Sequence, residues 1–385
     1  MNLKKAIPEQ YDGYLIYGSS NDADFNYITK FQTSDPVTCL ISKNGKDILL
    51  VSDMEKERAV LESQIEKIET TTEHNLKEKV KKYKDSDKGY AHLIVELLEK
   101  NGIKSVAVPR DFPAFFYKII EENGISIETV KSPYLIVRAK KNENEIKFVQ
   151  EAVFAAEKAM KDAIDLIKSS KVKDGFLYNF ETQKVLTGED VLKRIDKTLN
   201  ENNCVGEDTI VSCGKDSAMP HGKTYGPLKA NESIVIDIFP KNKKTGYYGD
   251  MTRTVLKGKA NDDLKKMYEA VKAAQYAAFD ILKPGITCKK VHDAVCKTFE
   301  DLGYDTYRNG SKVGFIHTTG HGLGLEIHEL PSVSDNEHIL EEGNVITIEP
   351  GLYYPEIGGI RIEDTVVITK EGFKNFNTME KIFEI

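Results

Sequence analysis

Four segments in the C-terminal half, SIVIDIFP, GYYGDMTRTVL, NVITIEPGLYY and GIRIEDTVVIT, alternate apolar and polar residues at period two, so that every second side chain shares one strand face. Acidic residues fall within or beside these runs: Asp237, Asp250, Glu349 and Glu363. His321 lies in a glycine-rich stretch between the second and third segments. A strand this apolar buries at least one face, and a carboxylate on such a strand needs a strong partner. Four carboxylates and one imidazole drawn to one point carry a formal charge near −4, too costly to desolvate unless cations sit among them. Two divalent ions balance that charge. Oxygen-rich ligation with one imidazole and no thiolate favours Mn²⁺, Co²⁺, Fe²⁺ or Zn²⁺. Two such ions ~3.5 to 4 Å apart polarise a carbonyl and lower the pKa of a shared water, which makes amide hydrolysis the natural chemistry.

The rest of the chain narrows the setting. With 385 residues, 40% of them hydrophobic and 30% charged, it has material for two or three domains of ~100 to 200 residues each. A net charge of −7 provides no broad basic field, so no nucleic-acid partner is expected. The Lys/Glu runs Glu55 to Arg58 and Lys77 to Lys84 read as solvated helix faces. Five scattered cysteines, Cys39, Cys204, Cys213, Cys288 and Cys296, form no CxxC pair and leave one unpaired under any disulfide scheme, which fits a reducing cytoplasm. MNLKKAIPEQYDGY lacks an apolar leader core, and no apolar run approaches the ~20 residues needed to cross a bilayer, so neither export nor membrane insertion is expected.

Two regions differ in pattern. Residues 1–140 alternate strand-like runs (TCLISK, DILLVS, SVAVPR, ISIETV) with helical stretches at Met54 to Ile68 and Gly89 to Asn101, an α/β pattern. Pro133 and the charged string Arg138 to Asn144 break it, and a domain boundary is expected near residue 140. An amphipathic helix then begins, with Ile146, Val149, Val153, Ala156, Met160, Ile164 and Ile167 on one face. Residues 141–385 read as α+β, with helices around 143–170, 183–202, 261–282 and 287–302 set against the alternating strands.

Asp237 ends an apolar strand and Asp250 follows the polar turn KNKKTG, so an antiparallel hairpin brings the two together. Alone, Asp250 reads equally well as a turn carboxylate. HTTGHGLGLEIHE, residues 317–329, holds His317, His321 and His328 with three glycines that permit tight backbone turns. Isolated histidines such as His74, His92, His292 and His338 read instead as satisfied core or surface residues. GHGLG has neither GxGxxG spacing nor a GK[ST] ending, so a nucleotide loop is not expected. Arg361 and Glu363 share a strand face opposite Ile360 and Ile362, and by themselves would make a cross-sheet ion pair. His221, between Pro220 and Gly222, reads alone as a loop histidine in a fixed turn.

Together SCGKDSAMPHG, IVIDIFP, GYYGDMTRT, HTTGHGLGLEIHE, GNVITIEPGLYYP and GGIRIEDTVVIT, spread from about residue 143 to the end, resemble the M24 metallopeptidase family, the pita-bread fold of methionine aminopeptidase, prolidase and aminopeptidase P. SSNDADFNYITKF and VRAKKNENEIK are similar to the start and end of the creatinase-like N-terminal domain that prolidase, aminopeptidase P and creatinase carry. The resemblance implies that Asp237 chelates one metal, that Asp250 and Glu363 bridge both, and that His321 and Glu349 complete the other shell. It makes Glu349 the general base toward a bridging water, and His221 and His328 pocket residues that steady the scissile carbonyl or oxyanion. His317 and Arg361 match positions near substrate and metal shell. The family usually has Asp-x-Gly where this chain has Asp237, Ile238 and Phe239, which alters the local pocket.

The expectation is therefore a creatinase-like domain at 1–140 and a pita-bread catalytic domain at 141–385. The enzyme expected is a homodimer with two divalent ions, manganese first, that hydrolyses the N-terminal Xaa-Pro bond of peptides with proline second, by attack of a metal-bridging hydroxide. An Xaa-Pro dipeptidase of the prolidase type is the close alternative. A metal-dead peptide-binding or scaffold protein is the alternative from another class, and the intact ligand set opposes it.

Overall fold

The computed structural model describes residues 3–385, and its backbone separates into two compact units, Met1–Arg138 and Ala139–Ile385. The first is built on a six-stranded sheet: β1 (Gly13–Gly18), β2 (Val37–Ser42), β3 (Ile48–Val51), β4 (Lys67–Thr70), β5 (Ser105–Pro109) and β6 (Ser126–Val130), in spatial order β4-β3-β2-β1-β5-β6. β1, β2 and β3 run antiparallel in succession, whereas β3–β4, β1–β5 and β5–β6 are parallel. The helices are α1 (Ala23–Thr29), α2 (Lys56–Glu62), α3 (Leu76–Tyr83), α4 (Ser86–Lys100) and α5 (Ala114–Glu122), followed by the short α6 (Leu135–Ala139). Leu15, Leu40, Val106 and Val108 of the sheet pack on Ala91, Ile94 and Leu98 of α4 and on Phe116 and Ile120 of α5. The helix expected at Met54 to Ile68 stops at Glu62, because Ser63 is extended and Lys67–Thr70 pairs with β3 as β4. Only Ala59 of α2 is buried, so its charged face reads as expected but packs too little surface to carry the helix further.

The second unit begins with α7 (Glu143–Ser169). Asn142 and Glu145 close a capping box at its start, each side chain bonding the other's backbone N–H. Its buried face is narrower in side-chain volume than the periodicity implied: Ala152, Ala155, Ala156, Ala159 and Ala163 line it along with Val149, Val153, Met160 and Ile167. Small residues let the neighbouring backbone come close. A Cβ on Gly249 would lie 2.3 Å from the Val153 nitrogen, so the chain just ahead of Asp250 touches α7 main chain.

After the hairpin β7 (Lys171–Lys173) and β8 (Phe176–Tyr178), α8 (Gly188–Glu201) starts at a second capping box, Thr187 with Asp190. Residues 183–187 are thus outside the helix expected there; Val185 bridges Tyr178 instead. Next come β9 (Cys204–Val205), β10 (Ile210–Cys213), β11 (Ile234–Ile238), β12 (Lys241–Asn242) and β13 (Met251–Val255). β10, β11 and β13 form an antiparallel sheet in which Asp237 lies opposite Thr252. The KNKKTG connection is more than a turn, since β12 leaves to pair with β9.

Helices α9 (Asp262–Ile281) and α10 (Cys288–Asp301) lead into β14 (Gly320–Gly322), β15 (Glu329–Val333), β16 (Val345–Ile348), β17 (Gly351–Tyr354), β18 (Gly358–Arg361), β19 (Asp364–Ile368) and β20 (Phe373–Asn375). The order β15-β14-β16-β19-β20 makes a five-stranded antiparallel sheet, and β17 pairs with β18.

Each helix pair covers one sheet. Ile234, Ile236, Ile238, Met251 and Val255 pack on α7 and α8, and Ile346, Ile348, Ile360, Ile362, Val366 and Ile368 pack on α9 and α10. Period two then turns Asp237 of β11 and Thr252 and Thr254 of β13 to the opposite face. Glu363 joins the two halves, with Thr252 and Glu363 forming an antiparallel bridge between β13 and the segment entering β19. The fold thus encloses a polar seam between two helix-backed sheets.

Candidate metal centre

Along that seam, one ligand atom each from Asp250, His321 and Glu363 lies within 4.8 Å of the others. Asp250 directly precedes β13, His321 is the middle residue of β14, and Glu363 sits between β18 and β19. Glu349 follows β16 and joins through His321, whose Nε2 is 3.3 Å from Glu349 Oε1 and 3.6 Å from Asp250 Oδ2. Asp237 stands beside them on β11, and its charge raises the pKa of both Asp250 and Glu363. The five side chains singled out from sequence thus meet in one place.

Backbone placement explains the convergence. A Cβ on Gly320 would fall 1.9 Å from the Thr347 carbonyl oxygen, so glycine allows β14 to lie against β16. This glycine serves close strand approach rather than a tight turn. His321 donates its backbone N–H to Thr347 Oγ1 at 3.1 Å, and that hydroxyl in turn reaches Glu349 Oε1 at 3.3 Å. Thr252 Oγ1 donates to Glu363 Oε2 at 2.7 Å, and Thr365 Oγ1 donates to the Asp250 carbonyl at 2.7 Å. A β13 threonine thus holds the Glu363 carboxylate and a β19 threonine the Asp250 backbone.

The electrostatics are those of a cluster made for cations. Burial, and then repulsion from Glu363 and Asp237, pushes Asp250 well above the carboxylate range. Burial followed by Glu363 does the same to Glu349, and burial with Asp237 lifts Glu363 to about 8. Asp237 Oδ1 and Glu363 Oε1 are buried with no hydrogen-bond partner. His321 Nδ1 faces the Gly322 carbonyl at 3.2 Å and must carry the proton, so the Nε2 lone pair points at two carboxylates. Burial lowers the His321 pKa to about 3, which keeps that lone pair free. Acceptors facing acceptors in a dry site repel one another until protons or cations come between them. The residues present fit divalent metal: four carboxylates, two of them with an orphaned oxygen, and one Nε2.

Arg361 is placed differently from the ion pair with Glu363 that its strand position implied. Its Nη2 binds Asp237 Oδ2 at 2.7 Å, and its Nη1 donates to the Tyr353 hydroxyl at 2.8 Å and to the Pro220 carbonyl at 3.3 Å. Glu363 turns instead to Thr252, because β18 ends at Arg361 and Glu363 itself bridges to Thr252 of β13. The Tyr353 hydroxyl lies 3.0 Å from His317 Nε2, while His317 Nδ1 is 2.7 Å from the Thr318 carbonyl. Nδ1 therefore carries the proton and Tyr353 donates to Nε2. Burial, and then Arg361, lowers the His317 pKa to about 3. His328 is exposed, its ring nearly perpendicular to that of His321 at 4.4 Å between centroids. His221 is exposed on the loop after Pro220, close enough to depress both His317 and His328.

Several supporting residues carried no signal that singled them out. Tyr353 stood in GLYYP without a role, Thr252 and Thr254 looked like ordinary strand threonines, and the buried Lys141–Glu329 pair joins residues too far apart in sequence to be linked by pattern. His292, read as a satisfied core histidine, is one: it contacts Thr319 Oγ1 at 2.8 Å and the Tyr307 hydroxyl at 2.7 Å.

The chain belongs to metallopeptidase family M24, whose profile matches residues 147–370, and its N-terminal part matches the creatinase/prolidase N-terminal domain over residues 4–140. It is a hydrolytic peptidase of the pita-bread fold. It is 34% identical over 308 residues to an Xaa-Pro dipeptidase of Pyrococcus horikoshii, covering 78% of this chain and 79% of that protein. Its structure is similar to that of a prolidase from Pyrococcus horikoshii OT3, with 31% identity, TM-score 0.77 and coverage of 96% and 95%. It also resembles an X-Pro aminopeptidase from Thermotoga maritima, with 26% identity, TM-score 0.79 and coverage of 97% and 98%. No helix among the described residues is long and apolar enough to cross a membrane.

Proposed function

We propose that this peptidase cleaves the bond before proline in Xaa-Pro dipeptides. The observation that carries a metal-dependent hydrolase is the His321 Nε2 lone pair aimed at Glu349 and Asp250 beside two buried, unpartnered carboxylate oxygens. Similarity to Xaa-Pro dipeptidases and to a prolidase structure supports Xaa-Pro specificity and favours dipeptidase over aminopeptidase activity. The match to the Thermotoga maritima X-Pro aminopeptidase keeps removal of an N-terminal residue from longer peptides as the second reading.

Asp237, Asp250, His321, Glu349 and Glu363 would hold two divalent ions, manganese first, with Asp250 and Glu363 shared between them. Bound there, the ions supply Lewis acidity toward the scissile carbonyl and lower the pKa of a water. The chain's own groups do the rest. Glu349 is only partly buried, and its carboxylate takes the proton from the attacking water and returns it to the departing proline nitrogen. His328 and His221, both exposed at the rim, hydrogen-bond the carbonyl oxygen as it gains charge. Arg361 fixes Asp237, and Tyr353 fixes neutral His317, so that substrate meets a set of side chains already oriented. A homodimer in the cytoplasm is the assembly and setting we propose, the latter supported by five free, buried thiols.

The test compares an Xaa-Pro dipeptide with an Xaa-Pro-Xaa tripeptide after loading with Mn²⁺. Preferred cleavage of the dipeptide supports the first reading, preferred cleavage of the tripeptide the second, and failure to cut either overturns both.

A further inference from the structure

The seam holds a buried ion pair that the reaction itself does not use. Lys141 and Glu329 form it with side chains 1% exposed on both sides. Fully desolvated ion pairs contribute little net stability and can be replaced by apolar groups of similar shape, so the position of this one calls for a different account.

Glu329 stands opposite Gly322 in the β14–β15 ladder, and Gly322 supplies the carbonyl that orients the His321 ring. That ladder is irregular: Gly320 pairs with Val333 and Gly322 with Glu329, so two steps on β14 face four on β15. On this side the pairing is interrupted, so the register of the His321 segment is left to β16 and to what packs against β15. The Glu329 carboxylate lies against Gly324, where a Cβ would be 2.5 Å from Oε1 and 3.0 Å from Lys141 Cε. The Gly324 carbonyl also accepts the Tyr248 N–H at 2.7 Å, two residues ahead of Asp250. Lys141 is itself anchored, its N–H donating to the Gly343 carbonyl at 2.9 Å just ahead of α7. The pair therefore clamps the glycine segment between a fixed lysine and β15.

We propose that Lys141, acting through Glu329, is a positioning residue for the reaction: the ion pair fixes the Gly320–Gly324 backbone and so the aim of His321. The proposal rests on the metallopeptidase reading of the seam. Removing both charges together leaves neither member buried opposite an uncharged partner, so a purely structural pair would be largely dispensable. A positioning pair would leave a folded protein with a misaimed ligand.

Two proteins separate these cases. In the double variant Lys141→Met, Glu329→Gln, thermal unfolding should stay near that of the unaltered protein, while Mn²⁺ affinity by calorimetry and kcat on an Xaa-Pro dipeptide each fall about tenfold or more with KM changed less than kcat. In Glu329→Asp the charge is kept and the carboxylate is withdrawn by one methylene, so folding is retained and the same losses should appear in smaller degree. Native Mn²⁺ affinity and kcat in either folded variant overturn the proposal. If the unaltered protein cuts no Xaa-Pro peptide, the functional reading fails by itself, and the Mn²⁺ titrations still decide the role of the pair.

Discussion

Arg361 crosses from β18 to hold Asp237 of β11, Nη2 to Oδ2 at 2.7 Å, with both residues more than nine-tenths buried at 3% and 8% exposure. The contact ties one Asp237 oxygen to the protein and leaves Oδ1 with no partner. A carboxylate meant only to neutralise arginine would be expected to satisfy both oxygens on it, as bidentate pairs do. Single attachment presents the other oxygen to the seam.

The same guanidinium fixes Tyr353, which leads to a test of the hydrogen-bond chain. Tyr353→Phe removes the acceptor for Arg361 Nη1 and the donor to His317 Nε2 without changing the ring. Loss of these buried bonds costs about 1–3 kcal/mol. Activity should drop roughly 5- to 150-fold, mostly in kcat, on the equivalence of 1.4 kcal/mol with a factor of ten. An unchanged kcat would show that the chain does not hold the site.

Asp250 is buried at 4% exposure and grouped with His321 and Glu363. Asp250→Ala should abolish turnover, with a loss beyond the ~100-fold that outer-shell changes cost. Metal content after dialysis should fall in parallel, and circular dichroism should show the fold retained. Substantial residual activity would sink the two-metal reading.

Cations that relieve repulsion among buried carboxylates also stabilise the fold that holds them. Mn²⁺ at about 100 times its dissociation constant adds about 2.7 kcal/mol, which raises Tm by about 5 to 10 °C for a domain of this size. Chelation should reverse the shift. A Tm indifferent to Mn²⁺ would place the ions elsewhere.

His292 gives a pH dependence of defined sign. Burial lowers its pKa from 6.5 to about 4, so between these values the unfolded chain binds the proton first. Its contribution to stability is complete above pH 6.5 and is lost as pH falls toward 4. His292→Gln should therefore lose less stability than the unaltered protein when urea unfolding is followed from pH 7 down to pH 4. Parallel curves for the two proteins would mean that His292 is protonated equally in both states.

How much of this could be read from the chain depended on the range of the interactions. Asp237, Asp250, His321, Glu349 and Glu363 were legible because strand alternation is local: each carboxylate interrupts or ends an apolar run, and its neighbours alone announce the conflict. Helix α7 was legible from its periodicity, although its alanine-lined face and the contact with Gly249 were not. The strand at Lys67–Thr70 was hidden because its pairing with Ile48–Val51 overrides a sequence that continues helical spacing. Arg361 shows the limit most plainly. Its strand neighbours named no partner beyond Glu363, and the fold supplied Asp237, more than a hundred residues away.

By itself, then, the sequence determined which side chains must be reconciled with burial, because desolvating a carboxylate costs the same wherever it lies. Only the tertiary structure decided who stands beside whom: Arg361 with Asp237, Tyr353 with His317, Lys141 with Glu329. Those pairings follow from how two helix-backed sheets meet at Thr252 and Glu363, a packing of distant surfaces that no local pattern encodes.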